Sequence, residues 1–259
     1  MFDFVAYPIG YMLNLVYNSL AFQNYGAAII IVTLIIKLIL MPLVIGQQNS
    51  SSKLNNIQPE LKKIQEKYKD NAEKLSQETM KLYKSQGVNP FTSIMSVFIQ
   101  MPILFSMYHV VSNPMKYMML DKNELLNMNF FGINLAATPT WSYDKLFGAN
   151  ISNENLILLI VPIAAVITSY IATKYSTKQT SGNNTDQMQS SMMSTMALIS
   201  PIMTGIITFT VPAGLGLYWI VSNAFQIVQQ FLINKFINKK NSSLDSKLKK
   251  RIAGIISGL

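Results

Sequence analysis

Cysteine is absent from the 259 residues, which excludes disulfides, thiol catalysis, thiolate metal sites and a lipidated N-terminal cysteine. Histidine occurs once, as His109, so no two-histidine metal site can form, and no G-x-x-x-x-G-K-[ST] phosphate loop is present. Serine and threonine are plentiful, but no nucleophile–base pair stands out. Neither enzymatic chemistry, a cofactor, a metal nor a DNA partner is expected. Charge is scarce too: 13% of residues are charged, against roughly 25% in a soluble domain, too few to clothe a water-facing surface. The opening stretch, MFDFVAYPIGYMLNLVYNSL, has no Lys or Arg and so lacks the positive region of a signal peptide.

What is abundant is apolar: half the residues are hydrophobic and the mean hydropathy is +0.27, yet the net charge is +9. Both properties can coexist only if they are segregated along the chain. A spanning helix needs about 20 mostly apolar residues. Five stretches qualify: 25–46, 91–112, 153–173, 192–210 and 214–234, the last two joined by the turn Val211-Pro212-Ala213-Gly214. Residues 1–24 read as an interfacial helix in the headgroup region, carrying Phe2, Phe4, Tyr7, Tyr11 and Tyr17.

The charges orient these spans. Segments 47–90, 174–191 and 235–259 together hold 17 of the 21 basic residues, while the intervening segments hold only Lys116, Lys122 and Lys145. The positive-inside rule then puts the N-terminus outside and the basic tail, 235–259, in the cytoplasm. Five spans require that opposition of ends. The fold class expected is an all-α integral membrane protein with five transmembrane helices.

Between the first two spans, Ile57, Leu61, Ile64 and Tyr68 recur at helical spacing, followed by a break at Asp70-Asn71. A weaker stripe of Ala72, Leu75, Leu82 and Tyr83 precedes Gly87-Val88-Asn89-Pro90. Segment 47–90 thus reads as a cytoplasmic helical hairpin. The outer segment 113–152 carries Phe130, Phe131, Trp141 and Tyr143, an aromatic belt, and 174–191 is a polar cytoplasmic loop.

Lys37 is the most informative residue. It lies about ten residues, or roughly 15 Å, from the cytoplasmic end of its span, and a lysine stem snorkels only about 6 Å. A lysine at that depth costs on the order of 3 kcal/mol, and no span offers an acidic partner near mid-depth; Glu154 sits at an outer end. A hydrated interior is the economical explanation. Other spans offer polar stripes: Asn89, Ser93, Ser96 and Gln100; Ser200, Thr204 and Thr208; Trp219, Asn223, Gln226 and Gln230; and Thr33, one turn before Lys37. Any one stripe is equally compatible with interhelical hydrogen bonding. Together with the cation, they point to a shared polar interior.

Several stretches carry a resemblance. Thr33-Leu-Ile-Ile-Lys37 with Met41-Pro42-Leu43, the segment Ile57-Gln-Pro-Glu-Leu-Lys-Lys-Ile-Gln65, and Gln77-Glu-Thr-Met-Lys-Leu-Tyr-Lys84 come in order. They are followed by Ile99-Gln-Met-Pro-Ile-Leu-Phe105 and by Pro212-Ala-Gly-Leu-Gly-Leu-Tyr-Trp-Ile-Val-Ser-Asn223 with Gln229-Gln230. The sequence from about 25 to 235 resembles the YidC/Oxa/Alb family of membrane protein insertases. The resemblance implies a hydrophilic groove, open to cytoplasm and lipid but closed outside, with Lys37, Thr33, Gln100, Trp219 and Asn223 as groove or substrate-contact positions. The family norm at position 37 is arginine; lysine keeps the charge without the planar fork.

The same resemblance implies nascent membrane proteins as substrates, inserted by the protein alone or with the Sec translocon. It gives the hairpin residues Ile57, Pro59, Leu61, Tyr68 and Tyr83 a recruiting role. The tail residues Lys247, Lys249, Lys250 and Arg251 suit either phosphate contacts with ribosomal RNA or anchoring on anionic lipid. The rival from another class is a small-solute channel using Lys37 as an anion site. Against it, the five spans show no inverted repeat, which many transporters have.

Overall fold

The computed structural model describes residues 2–89, 92–120, 125–139, 153–180 and 199–233. The basic tail with Lys247, Lys249, Lys250 and Arg251, and the belt residues Trp141 and Tyr143, lie outside the described residues.

Helix α1 (Asp3–Ser19) opens with an acidic residue in its first turn, where the helix dipole favours one. Ala6, Ile9, Gly10, Leu13, Val16 and Tyr17 recur at helical spacing and are buried against helices α2 (Tyr25–Asn56), α5 (Thr92–Ser112) and α6 (Pro114–Tyr117). At Gly10 the approach to the Tyr117 backbone leaves no room for a Cβ. Phe4, Tyr11 and Leu15, on the other side of α1, are exposed.

The corner between α1 and α2 puts Phe22 and Gln23 at φ +50° and +56°. Asn24 then caps α2, its side-chain oxygen accepting from Ala27 N over 3.0 Å. Helix α2 runs unbroken for 32 residues, about 48 Å at 1.5 Å per residue. It therefore outlasts the expected span 25–46 by ten residues: no cap or glycine turn follows Pro42 until the sequence reaches Ile57-Gln58-Pro59.

The hairpin is two helices, α3 (Gln58–Lys67) and α4 (Ala72–Ser85). Asn71 caps α4 by accepting from Lys74 N over 3.0 Å, and Gly87 leaves α4 at φ +59°. A small core of Ile57, Leu61, Leu82 and Val88, flanked by Leu54, Ile64 and Tyr83, holds the pair together.

Helix α5 begins at Thr92, so Asn89 is not on it, contrary to the stripe read from the sequence: Pro90 disfavours helical geometry in the residue before it. The outer segment contains a feature without a sequence expectation, a two-stranded ladder pairing β1 (Asn129–Phe130) with β2 (Ile133–Asn134). The stretch read as a third span is broken at Leu159 into α7 (Asn153–Leu158) and α8 (Ile160–Thr180). Helices α9 (Ile199–Thr208) and α10 (213–233) follow, joined through Pro212.

Among the described residues, two helical stretches are long and apolar enough to cross a bilayer, Tyr25–Asn56 and Leu156–Ser176, the second running across the turn at Leu159. The exterior agrees with that. On α8 the exposed stripe is Ile160, Ile163, Ile167, Tyr170 and Ile171, and on α9 it is Ile199, Ile202, Met203 and Ile206. Meanwhile Thr33, Ser106, Ser169, Thr204, Thr208, Ser222, Gln229 and Gln230 are buried. Aliphatic stripes on the outside, over an apolar core that also buries several hydroxyl and amide side chains, are the mark of a lipid-facing exterior; this is an all-α membrane protein.

Candidate functional site

Lys37 stands on α2 with its side chain partly buried. No carboxylate and no hydrogen-bond acceptor among the described residues partners it. Thr33, one turn earlier, is fully buried, and its hydroxyl donates to Ile29 O over 2.6 Å. Pro42 has no N–H, so the carbonyl of Leu38, the residue after Lys37, loses its usual helical donor.

Across the bundle, Gln100 on α5 donates through Nε2 to the Tyr218 hydroxyl on α10 over 3.1 Å. Tyr218 is 1% exposed and Ser222, one turn on, is buried as well. Trp219 and Asn223 follow on the same helix, both partly buried. Two amide donors of α10, Asn223 Nδ2 and Gln229 Nε2, are sealed from solvent with no partner among the described residues. Each donor left so costs about 1–3 kcal/mol. The structure thus joins Gln100 to the Trp219–Asn223 helix, while no hydrogen bond joins Lys37 to Gln100, Trp219 or Asn223.

Not every polar stripe belongs to this interior. Thr204 and Thr208 donate back to Ser200 O and Thr204 O over 3.0 and 2.8 Å, and Thr204 meets Ser169 of α8 at 3.3 Å. Beside them Gly205 lies so close to α8 that a Cβ would meet Val166 Cγ2 at 2.8 Å. That stripe is a small-residue helix seam.

Tyr218 carried no expectation from the sequence, although it sits inside the quoted stretch next to Trp219. The signal was its hydroxyl: a tyrosine buried in a span needs a partner, which Gln100 supplies. In the hairpin, Ile57 and Leu61 are buried in its own core. Pro59 is exposed and Tyr68 and Tyr83 are partly so, which leaves these three as the accessible members of that set.

Outside the spans, an aromatic cluster ties α1 to α6. Tyr117 donates its hydroxyl to Asp3 Oδ1 over 2.7 Å, and Lys116 Nζ lies 3.4 Å from the same hydroxyl and 4.7 Å from the ring centroid. The Tyr7 ring packs 5.1 Å from that of Tyr117. The Tyr117 hydroxyl, helped by Lys116, holds the Asp3 carboxyl below its ordinary range. The bond to Asp3 raises Tyr117 in turn.

The fold and this polar interior define a helical membrane protein, and residues 16–241 match the model of the 60Kd inner membrane protein family. The chain belongs to that family. It is 34% identical over 235 residues to the membrane protein insertase YidC 2 of Bacillus anthracis, covering 89% of this chain and 80% of that one. It is similar, at 34% identity over 219 residues, to the membrane protein insertase YidC of Clostridium perfringens, covering 85% and 82%. The membrane protein insertase MisCA of Bacillus subtilis is also 34% identical, over 242 residues, covering 92% and 80%.

Proposed function

We propose that this protein inserts other proteins into the bacterial cell membrane through a hydrated, positively charged groove enclosed by five transmembrane helices. The observation that carries this reading is Lys37: a cation part-way along an apolar helix, without an acidic partner among the described residues. The family relationship supports the insertase activity itself.

The work is physical rather than chemical. A short polar outer segment of a nascent membrane protein enters from the cytoplasm and keeps part of its hydration in the groove. Lys37 attracts acidic residues in that segment, more strongly than in water because screening inside the bundle is weak. Gln100, Trp219 and Asn223 offer hydrogen bonds and an aromatic edge on the facing helices. The apolar helix of the substrate meanwhile slides along the lipid-facing side, and its burial at about 25 cal/mol per Å² drives the reaction. The groove need only lower the barrier for the polar part.

In this account the N-terminus lies outside, α1 rests at the outer interface, and the α3–α4 hairpin receives substrates through Pro59, Tyr68 and Tyr83. The basic tail meets the ribosome or anionic lipid, and the Sec translocon is a partner for larger clients. The test is reconstitution of the purified protein alone into liposomes without ATP, followed by protease protection of a small single-spanning substrate. Protection above that in empty liposomes supports insertion. No protection, from folded and correctly oriented protein, contradicts it, and ion flux in its place would identify a channel.

A further inference from the structure

At the end of α2 where the chain enters from α1, three large apolar side chains stand almost wholly free of the protein: Phe22 is 96% exposed, Leu125 94% and Phe131 88%. We propose that Phe22, Leu125 and Phe131 form a lipid-embedded anchor that seats this corner at the acyl-chain boundary of the outer leaflet. The proposal rests on the reading that the N-terminal side of α2 faces outward.

The backbone presents these side chains at a cost. Phe22 and Phe131 have φ +50° and +49°, a region that bulky L-residues avoid. Phe131 and Gly132, the latter at φ +80°, form the two-residue link between β1 and β2. Positive φ at both central positions of such a link favours Asn-Gly or Asp-Gly. Phenylalanine stands there against the turn's own preference, held by the β1–β2 ladder and by Asn129 Oδ1 accepting from Gly132 N over 2.9 Å.

The corner is also rigid. Asn24 Nδ2 donates to Asn129 O, Tyr25 N donates to Asn127 O, and Asn127 N donates to the Tyr17 hydroxyl, each over 3.1 Å. Phe130 packs on Gly26 so closely that a Cβ there has no room. These contacts tie the β1–β2 ladder to the first turn of α2.

Depth and chemistry select lipid as the occupant. Polar residues resume after Gly46 with Gln47, and the hydrocarbon core takes about 20 residues of helix. Counting back from Gly46 puts the outer hydrocarbon edge near Ala27, beside this corner. No charged residue occurs from Phe4 to Tyr25 or from Leu125 to Pro139. Phe and Leu lack the polar handle that holds Tyr and Trp at headgroup level. The exposed Phe4, Tyr11, Leu15 and Leu20 extend the same apolar surface along α1 and its end. The remaining polar side chains of α1 turn inward or bond locally: Asn14 donates to Met118 O, Asn18 to Asn14, and Ser19 to Leu15 O.

The chain has no cysteine, so single sites can be spin-labelled cleanly. Phe22→Cys, Leu125→Cys and Phe131→Cys, in vesicles of phosphatidylethanolamine and phosphatidylglycerol, are compared with Asp70→Cys for nitroxide accessibility to oxygen and to a water-soluble nickel chelate. The expected result is an oxygen-to-nickel ratio several-fold above that at Asp70 at all three sites. Nickel-dominated accessibility would overturn the proposal, as would low accessibility to both reagents, which marks cover by a second copy of the protein. In a second variant, Phe22→Asn with Phe131→Asn, both residues tolerate positive φ, so the corner folds. The ratio at Leu125→Cys should then fall toward that at Asp70, and an unchanged ratio contradicts a joint anchor. Labelling of Asn134→Cys in intact cells by an impermeant maleimide reports the side independently. A protected Asn134→Cys would overturn the outward reading, and with it the outer-leaflet assignment.

Discussion

The Gln100 side-chain amide donates to the hydroxyl of Tyr218 across 3.1 Å, linking α5 to α10 inside the bundle. Because Tyr218 is 1% exposed, the bond is shielded from water, and removing one partner strands the other. Tyr218→Phe should destabilise the protein by about 1–3 kcal/mol, read as a lowered thermal midpoint in detergent. Gln100→Leu added to Tyr218→Phe should cost less than the two single changes summed, because no polar group is then left unpaired. Strict additivity in that double-mutant cycle would show that the two residues do not interact.

The α8–α9 seam makes a second prediction. Gly205 has no space for a Cβ beside Val166, so Gly205→Leu must push the helices apart, at about 1–3 kcal/mol. The same change should weaken the 3.3 Å contact between Ser169 and Thr204. Ser169→Cys with Thr204→Cys should cross-link under oxidation in the parent chain and lose that cross-link when Gly205→Leu is added. Equal cross-linking would contradict close packing at this seam.

The hairpin should melt by itself. Its core has four buried residues and no contribution from the main cluster, so Leu82→Ala should open α3 and α4 locally. Hydrogen exchange should show lost protection over 58–85 with α1 and the first half of α2 unchanged. Loss spreading through α2 would mean that the hairpin and the bundle form one cooperative unit.

Asp3 links α1 to pH. Its carboxyl sits below the usual range because Tyr117 donates to it, so protonation opposes the native contact. The contribution is present above the ordinary aspartate range near 3.9 and is lost as pH falls through the lower native value. Asp3 is exposed, which keeps the effect small. A spin label at the start of α1 should gain mobility as pH falls below about 4, and Asp3→Asn should reproduce much of that gain at neutral pH. Mobility independent of pH and of this substitution would contradict the tether.

The sequence made two long apolar helices, those at 25–46 and 153–173, and the cation legible because both are one-dimensional signals. Apolar length and a lysine inside it need no knowledge of neighbours, and the break at Asp70-Asn71 carried its own cap. What the sequence could not reveal depended on which helices meet. The stripe Ser200, Thr204 and Thr208 looked equally suited to a wet groove or a dry seam, and only its back-bonding and the Gly205 contact decide for the seam. Helical periodicity marked Ile57 and Leu61 as an apolar side without saying what covers it, and the chain itself does: both lie in the hairpin's own core. The β1–β2 ladder was hidden because its two-residue strands are shorter than any periodicity can register.

The central claim is that the charge of Lys37 helps polar segments across. It is tested most directly by protease protection in proteoliposomes with two single-spanning substrates, identical except for an acidic or a neutral outer segment. Lys37→Ala should reduce protection of the acidic substrate and leave the neutral one close to the parent level, while Lys37→Arg should restore the acidic one. Equal loss for both substrates on Lys37→Ala, from protein that is folded and correctly oriented, would contradict an electrostatic groove.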